Sequence, residues 1–157
     1  MQKRIISNND AGGTVPDDQW LNLDRLAEVE LTSEDASHPI EAALVTGLGS
    51  GWRAANTGTQ TIRLRFNTPQ RVRRIWLQFE EAERTRTQEY VVRWSSDAGH
   101  TFRDLVRQQW NFSPQGANLE TEDHRTELPN VTALELVINP DIGGGDALAS
   151  LARMRLA

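Results

Sequence analysis

The sequence contains no cysteine in its 157 residues, so neither a disulfide framework nor a thiolate metal site is possible. Lysine is almost as scarce, because Lys3 is the single lysine among 17 basic residues. No stretch resembles the apolar core of a signal peptide, and no run approaches the roughly 20 apolar residues of a membrane-spanning helix. We therefore expect a cytoplasmic protein with no membrane partner, whose stability comes from its own core.

The charge balance of the chain is acidic, with 22 Asp and Glu residues and a net charge of −5. This balance argues against a nucleic-acid partner, since a general nucleic-acid binder presents a basic face to the phosphates. The length predicts one domain. We place this domain at residues 19–157, after a flexible N-terminal arm at residues 1–18 that is polar and contains Asn, Asp and Gly clusters.

Apolar residues recur at every second position along several short segments, which is typical of strands buried on one face. Ile75, Leu77 and Phe79 form one such set, and the same spacing recurs at residues 62–66 and 90–94. About seven or eight short strands of this kind, separated by turn signals and without a long helix, predict an all-β sandwich or barrel.

The same alternation predicts which side chains fill the core between two sheets. The predicted core residues are Ile62, Leu64, Phe66, Ile75, Leu77, Phe79, Tyr90, Val92, Phe102, Leu134, Leu136, Ile138 and Met154. Pro39 introduces a single helical turn at residues 40–44. The segment from Ser95 to Phe102 is predicted to be a tight turn with no chemical role, because Ser, Asp and Gly are the residues that such turns require.

Side chains that carry out catalysis elsewhere do not occur here in catalytic patterns. The three histidines are scattered, and neither a Gly-x-Ser-x-Gly elbow nor a cysteine nucleophile is present. Acidic runs at residues 34–35, 80–83 and 120–123 supply the paired carboxylates that a glycosidase uses, yet such runs are more typical of solvated loops. We therefore predict a protein that is not an enzyme.

Four segments of the chain follow the order and spacing of a known family. The segments are residues 29–54 with Pro39 and Trp52, residues 62–79, Tyr90–Phe102 (YVVRWSSDAGHTF), and the closing pair 134–138 and 149–156. From about residue 26 to residue 156 the chain thereby resembles the discoidin (coagulation-factor C-type) domains and their galactose-binding-like relatives. This resemblance implies an antiparallel jelly-roll β-sandwich.

The resemblance also implies a noncatalytic binding module, most often for carbohydrate, whose site lies in loops at one end of the sandwich. The alternative is an intracellular protein–protein interaction domain with no sugar ligand, a role that similar jelly rolls play. The expected partner is thus a carbohydrate or a protein, and no cofactor is expected. Many sugar-binding members hold calcium with an Asp and a Glu. The matching positions, residues 43–47 and 152–153, contain no carboxylate, so no metal site is expected.

In the resembled domains an arginine, a polar partner and an aromatic platform contact the sugar. The matching insert, residues 80–88, offers Arg84 and Arg86 as donors to vicinal hydroxyls and Glu81 as an acceptor. The alternative for the same insert is a solvated turn of alternating salt bridges.

An aromatic platform is expected from the segment that follows residue 109. Trp110 and Phe112 are its candidates, because they precede Pro114 in a predicted loop. His38 is expected to line the same end of the sandwich, or else to cap the helical turn that follows it.

Overall fold

The computed structural model describes residues 19–157, so the arm predicted at residues 1–18 lies outside the described residues. This part of the chain folds into eight strands and two one-turn helices. In chain order they are α1 (Leu23–Leu26), β1 (Ala27–Leu31), α2 (Glu41–Leu44), β2 (Trp52–Thr57), β3 (Gln60–Glu80), β4 (Arg86–Ser95), β5 (Arg103–Phe112), β6 (Leu119–Asn139), β7 (Leu148–Leu151) and β8 (Arg153–Leu156). The predicted all-β class and the single helical turn after Pro39 are confirmed. Neither helix of residues 19–157 has the length and apolar character needed to cross a membrane.

Two long antiparallel strands, β3 and β6, build both layers of the sandwich. The first part of β3 pairs with β1 and with the last part of β6, and this layer continues through β4 to β5. The second part of β3 pairs with the first part of β6 and with β8. A two-stranded sheet of β2 and β7 contacts β3. The chain thus forms an antiparallel jelly-roll β-sandwich.

The two long strands cross from one layer to the other at prolines. Pro69 lies in β3 and Pro129 in β6, and the β3–β6 register shifts between Arg65 and Arg74. Proline donates no backbone hydrogen bond, so it is tolerated where the ladder is irregular. The alternation predicted only short strands, with residues 62–66 separate from residues 75–79. This prediction was wrong, because the ladder bends at the prolines and continues, so that β3 and β6 each run through 21 residues.

The core lies between the two layers and matches the predicted residues closely. All of them are buried except Phe66 and Phe102, which are half-buried. The ring of Phe79 stacks on Tyr90 of the opposite layer, with the ring centroids 5.2 Å apart. Phe102 instead lies under two guanidinium groups, with Arg63 5.6 Å and Arg93 5.5 Å from its ring centroid. Phe102 therefore packs outside the interior, where cations cover it.

The interior also contains polar side chains that the alternation did not predict. Gln88 and Glu120 are completely buried, and the Gln88 amide donates to a Glu120 carboxyl oxygen at 3.3 Å. The Tyr90 hydroxyl lies 2.7 Å from Nε2 of His124. The interpretation of the acidic run at residues 120–123 as a solvated loop was wrong, since this run belongs to β6 and Glu120 points inward.

The turn that follows β4 is closed by its own side chains, as predicted. The Ser95 hydroxyl accepts from the backbone amide of Gly99 at 2.9 Å, and the Asp97 carboxylate accepts from the amide of Thr101 at 2.9 Å. Hydrogen bonds from Ser95 and Thr101 hold the pKa of Asp97 far below its usual value. Gly99 has a φ of +85°, which glycine adopts without steric cost. The segment is a structural turn.

Candidate functional site

A concave pocket of about 260 Å³ opens where the β3–β4 connection meets the loop before β7. Its polar lining comes from three places in the chain, namely Arg53 of β2, the run from Glu80 to Arg86, and the pair Asp146 and Ser150. A smaller pocket of about 140 Å³ adjoins it and shares Arg53, Glu80 and Ser150. We call the larger concavity the loop pocket.

Strand β2 places Arg53 in the loop pocket because the residues on either side of it, Trp52 and Ala54, are buried in the core. Trp52 is buried, and its indole Nε1 donates to the Ser33 carbonyl at 3.2 Å. Before it, Gly51 has a φ of +112°, and a Cβ there would lie 2.5 Å from the Leu151 carbonyl. Alternation then turns the Arg53 side chain to the surface beside Ser150, its partner across the β2–β7 pair.

The exposed charges of the loop pocket are one ion pair and three side chains that lack one within the described chain, namely Arg53, Glu80 and Glu83. The Arg84 guanidinium donates to Asp146 at 2.5 Å, and both side chains are exposed. Hydrogen bonding from Arg84 lowers the pKa of Asp146. Within residues 19–157, neither Arg53 nor Glu80 forms an ion pair or a side-chain hydrogen bond. Both are exposed, so their donors and acceptors are available to a ligand.

Arg86 lines the same pocket but is an internal anchor. Its side chain is 2% exposed and donates to Glu81 at 2.5 Å, to the Pro140 carbonyl at 2.7 Å and to Gln88 at 3.2 Å. Its guanidinium also lies over the Phe112 ring, 4.6 Å from the centroid. These contacts occupy the N–H groups of Arg86 that we predicted would donate to sugar hydroxyls.

The Glu81 carboxylate also accepts its hydrogen bonds from within the protein. Burial raises its pKa, but the hydrogen bonds from Arg86 and from the Glu83 amide outweigh burial and leave the pKa lowered. Glu81 and Arg86 therefore shape the floor of the loop pocket, while Arg84 is the predicted residue that stays exposed there.

The aromatic platform predicted at Trp110 and Phe112 does not form. The predicted loop is the end of strand β5, and alternation along this strand turns both rings inward. Phe112 is buried in the core, and Trp110 is half-buried against it. Neither side chain lines the loop pocket, and the described residues that do line it include no aromatic side chain. His38 lines the adjoining pocket, with Nδ1 3.5 Å from Asp35.

Sequence reasoning missed Arg53, Asp146 and Ser150 as pocket residues. Arg53 follows the buried Trp52. Because adjacent residues of a strand point to opposite faces, a buried Trp52 predicts that Arg53 faces the surface, and the sequence offers no other signal for it. Asp146 follows three glycines, whose spacing indicates a loop but gives no position for it. Ser150 is brought to Arg53 by a pairing between strands that are nearly 100 residues apart, which no local pattern encodes.

Calcium is expected to have no effect on the stability of this domain. The turn at which the family resemblance leads one to look for calcium contains Leu44 and Val45, with Leu44 buried. Residues 19–157 hold no cluster of three acidic or histidine side chains arranged for a metal. Calcium prefers six to eight hard oxygen ligands. Thermal melts in calcium and in chelator should coincide. A calcium-dependent rise of several degrees would show that backbone carbonyls alone bind the ion.

Solved structures that share this fold include several carbohydrate-binding modules. The family 32 CBM from C. perfringens NanJ, in complex with galactose, matches with a TM-score of 0.64 at 12% identity, covering 87% of this chain and 96% of that chain. CpGH89CBM32-5 from Clostridium perfringens, in complex with GalNAc-β-1,3-galactose, matches with 0.64 at 19% identity, covering 88% and 99%. Chitosan-binding module 1 from Paenibacillus sp. IK-5 matches with 0.60 at 18% identity, covering 87% and 98%. These identities establish the fold alone.

The sequence comparison assigns the family. No curated protein has a matching sequence. The profile of the F5/8 type C domain matches residues 28–152, which is most of the chain and nearly the whole of the sandwich. The chain therefore belongs to the F5/8 type C domain family.

Proposed function

We propose that this chain is a noncatalytic carbohydrate-binding module that holds one sugar residue in the loop pocket. The observation that carries this proposal is the convergence of Arg53, Glu80 and Ser150, two unpaired charges and a hydroxyl, in a concavity at the edge of the sandwich. Structural neighbours in complex with galactose and with GalNAc-β-1,3-galactose, and a neighbour named as a chitosan-binding module, support the ligand class.

The free groups of the loop pocket match the hydrogen-bonding pattern of a sugar ring. The planar Arg53 guanidinium donates to two neighbouring hydroxyls at once, and the Glu80 carboxylate accepts from a hydroxyl. Ser150 both donates and accepts. Because the described lining has no aromatic side chain, recognition depends on these polar contacts. The volume of about 260 Å³ lies just below the range of about 300–1,000 Å³ of drug-sized ligand sites, which suits one sugar unit.

Two of the four acidic side chains that line the pocket have a lowered pKa, which favours binding over hydrolysis. A glycosidase needs one carboxyl group with a raised pKa to act as general acid. Arg84 lowers the pKa of Asp146, and Arg86 helps to lower that of Glu81. Both carboxyl groups are therefore ionised at neutral pH, which is unsuited to proton donation. The site binds a sugar and leaves its bonds intact.

Binding of a single sugar to the loop pocket is expected to be weak. A monosaccharide has roughly 12 heavy atoms, and at about −0.3 kcal/mol per atom its Kd is about millimolar. Polymers that present many copies of the sugar raise the apparent affinity, because each further contact is made at high effective concentration. Oligosaccharides and polysaccharides are therefore the appropriate probes.

Replacing Arg53 by alanine should abolish carbohydrate binding without unfolding the domain. The free guanidinium supplies the bidentate contact, and its loss leaves the sugar hydroxyls unpaired. Wild type and Arg53→Ala are titrated calorimetrically against neutral, amino and uronic oligosaccharides. Arg107→Ala is the matched control, since Arg107 is an exposed arginine on β5, outside the pocket. Its binding should equal that of wild type, and both variants should unfold within about 1 kcal/mol of it.

Two results contradict this proposal. Flat titrations of the wild type across the whole panel exclude the carbohydrate function, and unchanged affinity in Arg53→Ala excludes the loop pocket as the site. The alternative interaction domain requires a flat apolar patch around Trp76 or Trp110. Both rings are half-buried, and the exposed large hydrophobic side chains of residues 19–157 are aliphatic.

A further inference from the structure

A second concavity, of about 360 Å³, is lined by strand β1 and by residues of both helices. We call it the β1 groove. No residue lines both this groove and the loop pocket, so the two are separate. The buried side chains of Leu23, Ile40 and Leu44 line its floor, and Val29 and Leu31 of β1, which are half-buried, line its side. The groove therefore leaves part of the apolar face of β1 open.

The outer edge of β1 has backbone groups that are free to pair with another strand. Strand β1 is the end strand of its layer, and within residues 19–157 it pairs with β3 alone. Thr32, directly after β1, donates its backbone N–H to the Thr61 carbonyl of β3 at 3.1 Å. Because successive residues of an antiparallel strand direct their backbone groups to opposite edges, and the β1–β3 register has no shift, Val29 and Leu31 direct their N–H and C=O groups away from β3. Such an edge accepts an added strand.

The mouth of the β1 groove carries negative charge. Asp24, Glu34 and Glu41 line it and are exposed, and the described lining contains no arginine, lysine or histidine. Glu28, on the outward face of β1, is also exposed and forms no ion pair within residues 19–157. An occupant that combines apolar side chains with positive charge is complementary to this surface.

A second copy of the chain does not have this character at its own β1 edge. Antiparallel pairing of two β1 edges about Val29 places Glu28 of one copy opposite Glu30 of the other, and like charges across a strand pair are destabilising. The net charge of −5 adds a general repulsion between copies. The groove therefore fits a different, basic partner.

We propose that the β1 groove binds an extended segment of a partner protein, which pairs with β1 as an added edge strand and alternates apolar with basic residues. The inward side chains of the added strand continue the face of Val29 and Leu31 and enter the groove, so these positions are apolar. The residues between them lie on the outward face beside Glu28 and are lysine or arginine. Backbone pairing supplies affinity in this mode, and the side chains in the groove supply specificity. Binding of a protein segment is a second function, independent of sugar binding in the loop pocket.

A short synthetic peptide that alternates isoleucine with lysine, with both ends blocked, tests the proposal on the isotope-labelled full chain. Titration should shift the amide signals of Val29 and Leu31 and slow the hydrogen exchange of both amides, because each gains an acceptor. Strand β5, at the opposite end of the layer, provides the internal control. It carries Arg103 and Arg107 beside a single acid, which disfavours a basic peptide, so the signals of residues 105–106 should stay unchanged.

Methylation of the peptide backbone separates strand addition from contact through side chains alone. Methyl groups on the isoleucine nitrogens block antiparallel pairing with Val29 and Leu31, and methyl groups on the lysine nitrogens block parallel pairing. One of these two peptides should bind at least about tenfold more weakly than the parent, and the other should bind like the parent. Equal affinity of the two methylated peptides overturns strand addition.

Charge reversal tests the complementarity. Glu28→Lys combined with Glu41→Lys should weaken binding of the lysine peptide by about tenfold at low salt, and this variant should gain binding of a peptide in which glutamate replaces lysine. Glu83→Lys combined with Glu127→Lys is the matched control, because both residues are exposed outside the groove and the change in net charge is the same. This control should bind the lysine peptide like wild type.

Four results contradict the proposal. Wild type that binds the glutamate peptide as tightly as the lysine peptide excludes the charge complementarity. Equal signal changes at β1 and β5 exclude the groove as the site, and the absence of any change at millimolar peptide excludes the interaction. Signal changes at Val29 and Leu31 that depend on protein concentration, without peptide, assign the edge to a second copy and overturn the proposal as well.

Discussion

Replacing Arg86 by alanine should destabilise the domain by about 3–5 kcal/mol, because the substitution leaves a buried ion pair with one partner. Arg86 is buried, and its guanidinium satisfies Glu81, Gln88 and the Pro140 carbonyl while covering the Phe112 ring. Each of these acceptors loses its donor inside the protein, where water does not replace it. Equilibrium unfolding in urea measures the loss directly.

Arg84→Ala is the matched control for this prediction. Arg84 lies two residues away in the same pocket, but its side chain is 48% exposed and that of its partner Asp146 is 79% exposed. Exposed pairs contribute about 0–1 kcal/mol, so this variant should unfold close to wild type. Arg86→Lys should fall between the two, since lysine keeps the charge but lacks the planar fork that reaches several acceptors. Loss of less than about 1 kcal/mol in Arg86→Ala would contradict the anchoring role.

The contrast between Arg84 and Arg86 shows how far strand alternation extends into the site. Arg86, Gln88, Tyr90 and Val92 share one face of β4, and the structure buries all four. If the alternation of Val92 and Tyr90 is continued toward the start of β4, it predicts that Gln88 and then Arg86 face inward. Arg86 and Gln88 were not among the predicted core residues, because arginine and glutamine are rarely buried. In β4 the periodicity of the strand is a stronger signal of burial than the residue type.

The fold itself was predictable because its strands carry clear alternation and because the chain resembles its family in several ordered segments. The path that the strands follow was not predictable from the sequence. Proline is a turn signal in isolation, yet Pro69 and Pro129 lie within 21-residue strands whose bends place the prolines at irregular positions in the ladder. The pocket was predicted only at the β3–β4 connection. Its other half, with Arg53 and Ser150, depends on pairing between distant strands.

Glu120 is a second polar side chain whose burial was not predicted from the sequence. An acidic run gives no local sign of burial, and only the position of Glu120 on β6, opposite Phe79, turns it inward. Burial raises the pKa of its carboxyl group to about 8, and the nearby charge of Glu122 adds to the effect. The folded protein therefore holds a proton that the unfolded chain releases near pH 4.5.

The stability of the wild type should consequently fall as the pH rises from about 4.5 to about 8. A carboxyl group with a raised folded pKa contributes fully below its unfolded pKa, and this contribution is lost as the pH passes through the folded value. Because a difference of one pH unit between the two values corresponds to about 1.4 kcal/mol, the loss amounts to several kcal/mol. His124 acts in the opposite direction at lower pH, since burial lowers its pKa.

Glu120→Gln isolates the contribution of this carboxyl group from that of His124. Glutamine keeps the oxygen that accepts from Gln88 at 3.3 Å and carries no charge at any pH. The difference in unfolding free energy between Glu120→Gln and wild type should be small at pH 5 and should grow by several kcal/mol in favour of the variant at pH 8 to 9. Glu127→Gln is the control, because Glu127 lies on the same strand, its side chain is 56% exposed, and it forms an ion pair with Arg71. Its difference from wild type should show no such growth. A Glu120→Gln difference that stays constant between pH 5 and pH 9 would mean that Glu120 is ionised in the folded protein, with water reaching its carboxylate through the open edge of β6.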